Sequence, residues 1–242
     1  MTIGKNQEPK VSIVIPVYNE QELLSEAIIS LVKEITEFDF ECEVIIAENG
    51  SNDSTKEIAL ELGRRYENIK VQLNDEPNYG KALKRGIEYA KGDLIICDEI
   101  DILDVEFYKA SLPLLFSNKA DIVVGSKHLA GIKDKRSSFR KFVTYVTNFI
   151  MLRILVGFKG TETHGVKGFQ KAKLIPIIKK CIIDKDLFTS EFIIRAQHES
   201  CKIIEIPLAI EEKRKARINP LKRIPNVLKN LVKLTWVIRM QR

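Results

Sequence analysis

From Val11 to Val124 the chain alternates between short, β-branched apolar runs and longer stretches with helical spacing. The runs are Val11–Pro16, Val44–Ala47, Ile69–Leu73, Leu94–Cys97 and Asp121–Val124. Between them the spacing predicts helices over Glu20–Glu37, Asp53–Tyr66, Tyr79–Lys91 and Asp104–Ser117, with Asp53 and Asp104 as candidate N-caps. Short runs apolar throughout belong in a parallel sheet covered on both faces. Strict alternation of this kind leads to an α/β, Rossmann-like, mostly parallel sheet flanked by helices, with right-handed crossovers. It also locates function, because ligands of such sheets bind beyond the C-terminal ends of the strands.

After residue 126 the pattern changes. Lys127–Ser138 is polar, basic and loop-like, and Phe139–Val156 has helical spacing. Gly165–Phe169 reads as a short strand, Leu174–Lys180 and Thr189–Glu199 as helices, and Ile203–Ile206 as a last strand stopped by Pro207. There is no internal repeat and no low-complexity linker. The organisation expected is a polar stretch over 1–10, one domain over 11–217 and a basic amphipathic helical tail over 218–242. In that tail Leu221, Ile224, Val227, Leu228, Leu231, Leu234 and Ile238 form an apolar stripe.

The chain has 242 residues, 45% of them hydrophobic and 30% charged, which suits a globular domain with a sizeable core. The formal charge is +6, and residues 213–242 carry many Lys and Arg and no acid. That local excess points to an anionic surface, and a basic amphipathic helix can lie on an anionic membrane; alternatively it packs on the domain with its basic face in water. Nucleic acid is not an expected partner. Cys42, Cys97, Cys181 and Cys201 form no C-x-x-C pair and no zinc spacing, so buried reduced thiols and a reducing cytoplasm are expected. The first ten residues show no signal-peptide core, and no apolar run reaches the roughly 18 to 20 residues of a span. A peripheral protein at the cytoplasmic face of a membrane is the expectation.

Three strand ends carry chemistry-bearing residues. The fourth apolar run stops at Asp98, Glu99 and Asp101. Side chains at i and i+2 of an extended segment point the same way, so Glu99 and Asp101 can converge on one hard divalent cation such as Mg2+ or Mn2+. The alternative is that these acids cap the next helix and stay in water. The first run ends in Pro16-Val-Tyr18-Asn-Glu20, where Tyr18 offers a flat face to a base and Glu20 an acceptor for ribose hydroxyls. The second ends at Glu48-Asn49-Gly50, a carboxylate and a tight turn; Glu48 can accept from a ring N–H. Neither the P-loop nor the G-x-G-x-x-G fingerprint is present, which argues against a P-loop nucleotidase or a Rossmann dehydrogenase.

The ordered set SIVIPVYNE, ENGSNDST, N-x-GKA, GD before an acidic strand end, DIVVGSK, THGVKGF and TSEF-IIRA resembles the family 2 glycosyltransferases with the GT-A fold. Within them it looks like the dolichol-phosphate mannose synthase type, which transfers a sugar to a polyprenyl phosphate. The resemblance covers roughly residues 11–217. It implies an inverting, metal-dependent hexosyltransferase using a nucleoside diphosphate sugar, with Mg2+ or Mn2+ as cofactor. The implied donor site is Pro16, Tyr18, Glu20, Glu48, Asn49, Lys81, Asp98 and Glu99. The family's D-x-D falls here on Glu99 and Asp101, with Asp98-Glu99 as the competing register. The second acid before Gly-Ser is Asn49, and the family's Gly-Ser-Arg is Gly125-Ser126-Lys127, a point charge without the bidentate fork.

The chemistry implied is neutralisation of a leaving diphosphate. Asp101 is the catalytic metal carboxylate, and Lys127, Arg140, His164 and Arg214 fall where the resembling family binds phosphate or acceptor. A lipid phosphate arrives ionised and needs no strong base, whereas a saccharide hydroxyl does, and Glu191 is the candidate. Three readings follow: transfer to polyprenyl phosphate, transfer to a saccharide of a surface polymer, and a non-catalytic nucleotide-sugar binding module.

Overall fold

The structure is a computed structural model that describes residues 10–126, 129, 157–185, 187–208 and 224–240. The five N-terminal runs are strands: β1 (Val11–Val17), β2 (Cys42–Asn49), β3 (Ile69–Asn74), β4 (Leu94–Cys97) and β5 (Ile122–Ser126). They alternate with α1 (Leu24–Ile35), α2 (Thr55–Arg65), α3 (Tyr79–Tyr89) and α4 (Val105–Phe116). Asp104 caps α4 by accepting from Phe107 N at 2.9 Å. Asp53 is one residue too early to cap α2 and instead accepts from Thr55 N at 3.0 Å. Further on come β6 (Lys167–Gln170), α5 (Lys171–Lys180), α6 (Phe188–His198), β7 (Ile203–Pro207) and α7 (Ile224–Met240). The Phe139–Val156 helix expected from sequence lies outside the described residues.

The seven strands among the described residues form one sheet in the order β3-β2-β1-β4-β6-β5-β7. All pairings are parallel except those of β6, which runs antiparallel between β4 and β5. This reversal was not readable from periodicity: a four-residue strand has no direction of its own. The chain builds outward from β1 to β2 and β3, then returns to the other side of β1 with β4. The order therefore reverses between β1 and β4, and the crevice of a doubly wound sheet opens at that point.

Both faces of the sheet are covered. One core packs α1, α2 and α4 on residues such as Ile13, Ile15, Val44, Ile46 and Ile96. The other packs α3, α5, α6 and α7 on Val14, Ile45, Ile95, Val124 and Phe169. Successive residues of one strand thus serve opposite cores, which is why the runs are apolar throughout. At the N-terminal edge the first half of the sheet is pinned by a buried network: Ser12 Oγ donates to Glu43 Oε1 at 2.6 Å and accepts from Gly92 N at 2.8 Å. The four cysteines are free, and burial pushes the Cys42 and Cys97 thiols up to about 12, so both stay protonated at neutral pH.

The tail helix joins the second core. Leu234, Val237 and Ile238 are buried, so the two described stripe members, Leu234 and Ile238, are spent on packing against the domain. Among the described residues no helix is long and apolar enough to cross a membrane.

Candidate active site

The C-terminal ends of β1, β2, β3, β4 and β5 lie along one edge of the sheet, and the start of antiparallel β6 meets them there. Tyr18, Asn49, Asn74, Asp98 and Ser126 therefore share this edge with Lys167. Register fixes the last point, because Lys167 is the partner of Cys97 on β4 and of Val124 on β5.

The acidic stretch folds around Asp98. This carboxylate is 2% exposed and faces the α4 side. Its Oδ1 accepts from Glu99 N at 2.7 Å, and its Oδ2 accepts from Asp104 N at 3.1 Å and from the Tyr108 hydroxyl at 2.7 Å. Burial raises its pKa to about 7, against the pull of those hydrogen bonds. Asp98 thus spends its acceptors on shaping the loop, and its burial keeps it out of solvent. Tyr108 is ten residues away on a helix, and no sequence pattern pairs the two.

The extended geometry that placed Glu99 and Asp101 on one side does not persist. The strand ends at Cys97, and the Glu99 carbonyl accepts from Ile102 N at 2.9 Å, closing a turn. The chain must bend here because Asp104 starts α4 six residues after Asp98. Glu99 and Asp101 are the first and third residues of this turn. Both are half-buried, and neither carboxylate has a hydrogen-bond or ion-pair partner among the described residues. No group of three or more His, Cys, Asp or Glu able to hold a metal exists among the described residues. Two free carboxylates on one turn still fit a hard cation that completes its shell with substrate phosphate oxygens and water.

Lys167 stands beside Cys97 at the same strand end, and sequence reasoning does not single it out, although a lysine inside the apolar run VKGF is itself a signal. It is 2% exposed, and among the described residues its ammonium makes one hydrogen bond, to Gly165 O at 2.6 Å. Burial lowers its pKa, while the nearby acids Glu99, Glu162 and Asp98 hold it up. An ammonium has three donors, so two remain beyond that bond.

The β1 and β2 ends are stitched together. Asn19, in a left-handed conformation, donates from its N to Ser51 Oγ at 3.0 Å and accepts at Oδ1 from Asn52 N at 2.9 Å. Glu20 N donates to Thr55 Oγ1 at 2.7 Å. Glu48 is buried and accepts from Ser51 N at 2.6 Å and Gly50 N at 3.2 Å, so it holds the turn. Asn49 Oδ1 accepts from Asn78 N at 2.6 Å, and Asn78 in turn caps α3 by accepting from Lys81 N at 3.1 Å. Asn49 in place of an acid is thus matched to a backbone donor at the start of α3. Pro16 is buried at the end of β1, Tyr18 is exposed beside it, and Lys81 is partly exposed on the first turn of α3.

On the far side the 161–165 loop is held by Glu205, which accepts from Thr161 N at 2.6 Å, and by the Ser126–Thr161 hydroxyl pair at 2.8 Å. His164 is exposed on this loop, and its neighbour Thr163 pairs with Ser190 of α6 at 2.9 Å. Glu191 is fully buried. Its Oε2 accepts from Ile182 N and Ile183 N at 3.0 and 2.8 Å, and its Oε1 accepts from Arg195 Nε at 2.8 Å. A carboxylate so filled anchors the loop ahead of α6 and has no opening toward an acceptor hydroxyl. Lys127, Arg140 and Arg214 lie outside the described residues.

The Glycosyl transferase family 2 profile matches residues 12–175. Among curated proteins the chain is 27% identical over 232 residues to the dolichyl-phosphate β-glucosyltransferase ALG5D of Trichomonas vaginalis, covering 87% of this chain and 68% of that one. It is 24% identical to the glycosyltransferase AglD of Haloferax volcanii, covering 96% of this chain and 38% of the relative. The chain thus spans about two thirds of the first relative and well under half of the second. Among solved structures it resembles glucosyl-3-phosphoglycerate synthase from Mycobacterium tuberculosis in complex with Mn2+, uridine diphosphate and phosphoglyceric acid. That match has a TM-score of 0.68 at 17% identity, over 95% of this chain and 78% of the other, and it supports the GT-A fold. With the doubly wound sheet, the strand-end site and a profile match over most of its length, the chain belongs to the family 2 glycosyltransferases.

Proposed function

We propose that this glycosyltransferase moves a hexose from a nucleoside diphosphate sugar to a polyprenyl phosphate, with inversion and with Mg2+ or Mn2+ on the donor. The observation that carries the reading is the pair of carboxylates, Glu99 and Asp101, without a hydrogen-bond or ion-pair partner among the described residues, on the turn after β4 beside the β1/β4 crevice. They would hold the cation, which neutralises the leaving diphosphate as a Lewis acid when bound. Donor binding falls to Pro16, Tyr18, Glu20, Glu48, Asn49, Lys81 and Asp98: Tyr18 stacks the base, while Glu48, Asn49 and Asp98 fix the loops around it. Lys127, Arg140, His164 and Arg214 are assigned to the acceptor phosphate.

The dolichyl-phosphate relatives support a lipid phosphate as acceptor. So does the state of Glu191: a phosphate acceptor is already ionised and needs no general base, and this carboxylate is engaged elsewhere. In this reading residues 11–217 are the transferase unit, residues 218–242 approach the membrane, and the protein works peripherally at its cytoplasmic face. UDP-glucose is the first donor to test, given the glucosyltransferase relatives. The experiment is incubation with labelled sugar nucleotides, Mg2+ or Mn2+, and either polyprenyl phosphate or an oligosaccharide. Label in the lipid fraction is expected; label only in the saccharide would move the assignment to surface-polymer synthesis, and nucleotide binding without transfer to a binding module.

A further inference from the structure

Sequence periodicity leaves open whether lipid or the domain receives the apolar stripe of the tail helix. Leu234 and Ile238 are buried in the core, whereas Val232 is 71% and Trp236 63% exposed. At about 100° per residue, positions 232 and 236 project roughly opposite to 234. Ile182, on the loop after α5, is 41% exposed and lines the same groove as Val232 and Trp236. Single exposed apolar side chains are ordinary. Here three share one groove, and Lys185, Lys229 and Lys233 line it with a single acid, Asp184.

We infer that the Val232–Trp236 face of α7, with Ile182 beside it, seats this chain on an anionic lipid bilayer. Charge selects the occupant. The helix carries Lys229, Lys233 and Arg239 and no acid, and all three cations are exposed. Lysines flanking an exposed indole match the headgroup region, where the ring lies at the boundary and each cation is drawn to anionic lipid. The opposite face of the helix is fixed to the protein core, so α7 lies flat on the bilayer and does not cross it. The groove also reaches Asn78, the cap of α3 whose backbone N–H meets Asn49. Seated this way, the donor end of the sheet stands close to the lipid surface. The purpose of this seat rests on the lipid-phosphate acceptor reading, but the contact itself is measured separately.

Trp236 is the only tryptophan of the chain, so its own fluorescence reports the contact. The probes are phosphatidylcholine vesicles with and without phosphatidylserine, made with brominated acyl chains. The expected result is a shift of emission to shorter wavelength and quenching with the phosphatidylserine vesicles only, reversed by high salt. Lys229→Ala with Lys233→Ala should weaken partitioning by roughly thirtyfold while leaving UDP binding by calorimetry unchanged, which shows the variant is folded. Unchanged emission on phosphatidylserine vesicles overturns the inference. So does an equal response to neutral vesicles, or a concentration-dependent shift without lipid, which would assign the face to a second copy of this chain. Vesicle binding without glycosyl transfer would fail the activity reading alone; transfer without vesicle binding would fail this inference alone.

Discussion

The Tyr108 hydroxyl donates to Asp98 Oδ2 at 2.7 Å, and both groups are buried between β4 and α4. That pair sets the shape of the loop bearing Glu99 and Asp101, and it makes the loop sensitive to pH. Asp98 titrates near 7 in the folded chain, above the ordinary carboxylate value of about 3.9. The folded state therefore binds this proton more tightly than the unfolded one. The stability it contributes is complete below about pH 4 and is lost as pH rises through about 7. The thermal midpoint of the wild type minus that of Asp98→Asn should fall across this interval. Tyr108→Phe removes a bond that favours the charged form and should move the interval upward. A flat difference curve would contradict the assignment.

For a saccharide acceptor the sequence makes Glu191 the candidate base; in the structure its carboxylate accepts from Ile182 N, Ile183 N and Arg195 Nε, the geometry of an anchor. Removing one partner of a buried ion pair costs about 3–5 kcal/mol. Glu191→Ala should therefore lower unfolding stability by that order, measured by denaturant titration. If stability is unchanged and only the turnover of a hydroxyl acceptor collapses, the carboxylate is a base after all.

Gly80, on the first turn of α3, packs directly on the 182–185 segment. A Cβ there would run into Asp184 O and sit 2.6 Å from Phe188 Cβ. Gly80→Ala should cost about 1–3 kcal/mol through overpacking and disturb the Asn78 cap. Thermal unfolding and UDP affinity should both fall; a neutral result would mean that α3 and this loop are not in contact.

Lys167 separates stability from binding. A buried ammonium with one hydrogen bond is costly to keep, so Lys167→Met should leave stability unchanged or raise it. If its remaining donors serve the donor diphosphate, UDP affinity should fall by about tenfold or more, the loss of a charged hydrogen bond. Calorimetry that finds equal affinity would assign Lys167 to the core alone.

The alternating first half of the fold was legible because each apolar run ends at a turn signal and each helix shows its face; β1 to β5 stand within a few residues of where the runs place them. The antiparallel β6 was not legible as such, since its neighbours are set by tertiary pairing. At the site, the sequence located Asp98, Glu99 and Asp101 at a strand end but not their division of labour. Burial of Asp98 against Tyr108 and the turn at Glu99–Ile102 are long-range and backbone facts respectively, and neither has a local pattern. The tail stayed open between its two alternatives for a related reason: periodicity finds the apolar stripe of a helix without saying whether protein or lipid receives it.

The most direct test of the account is the initial rate of label transfer from UDP-glucose to polyprenyl phosphate with Mn2+, compared between the wild type and Asp101→Asn. The expected result is metal-dependent lipid-linked label, reduced about 100-fold in the variant, with its thermal midpoint unchanged. Transfer that survives both chelation and the substitution, or no lipid-linked label with any common sugar nucleotide, would contradict it.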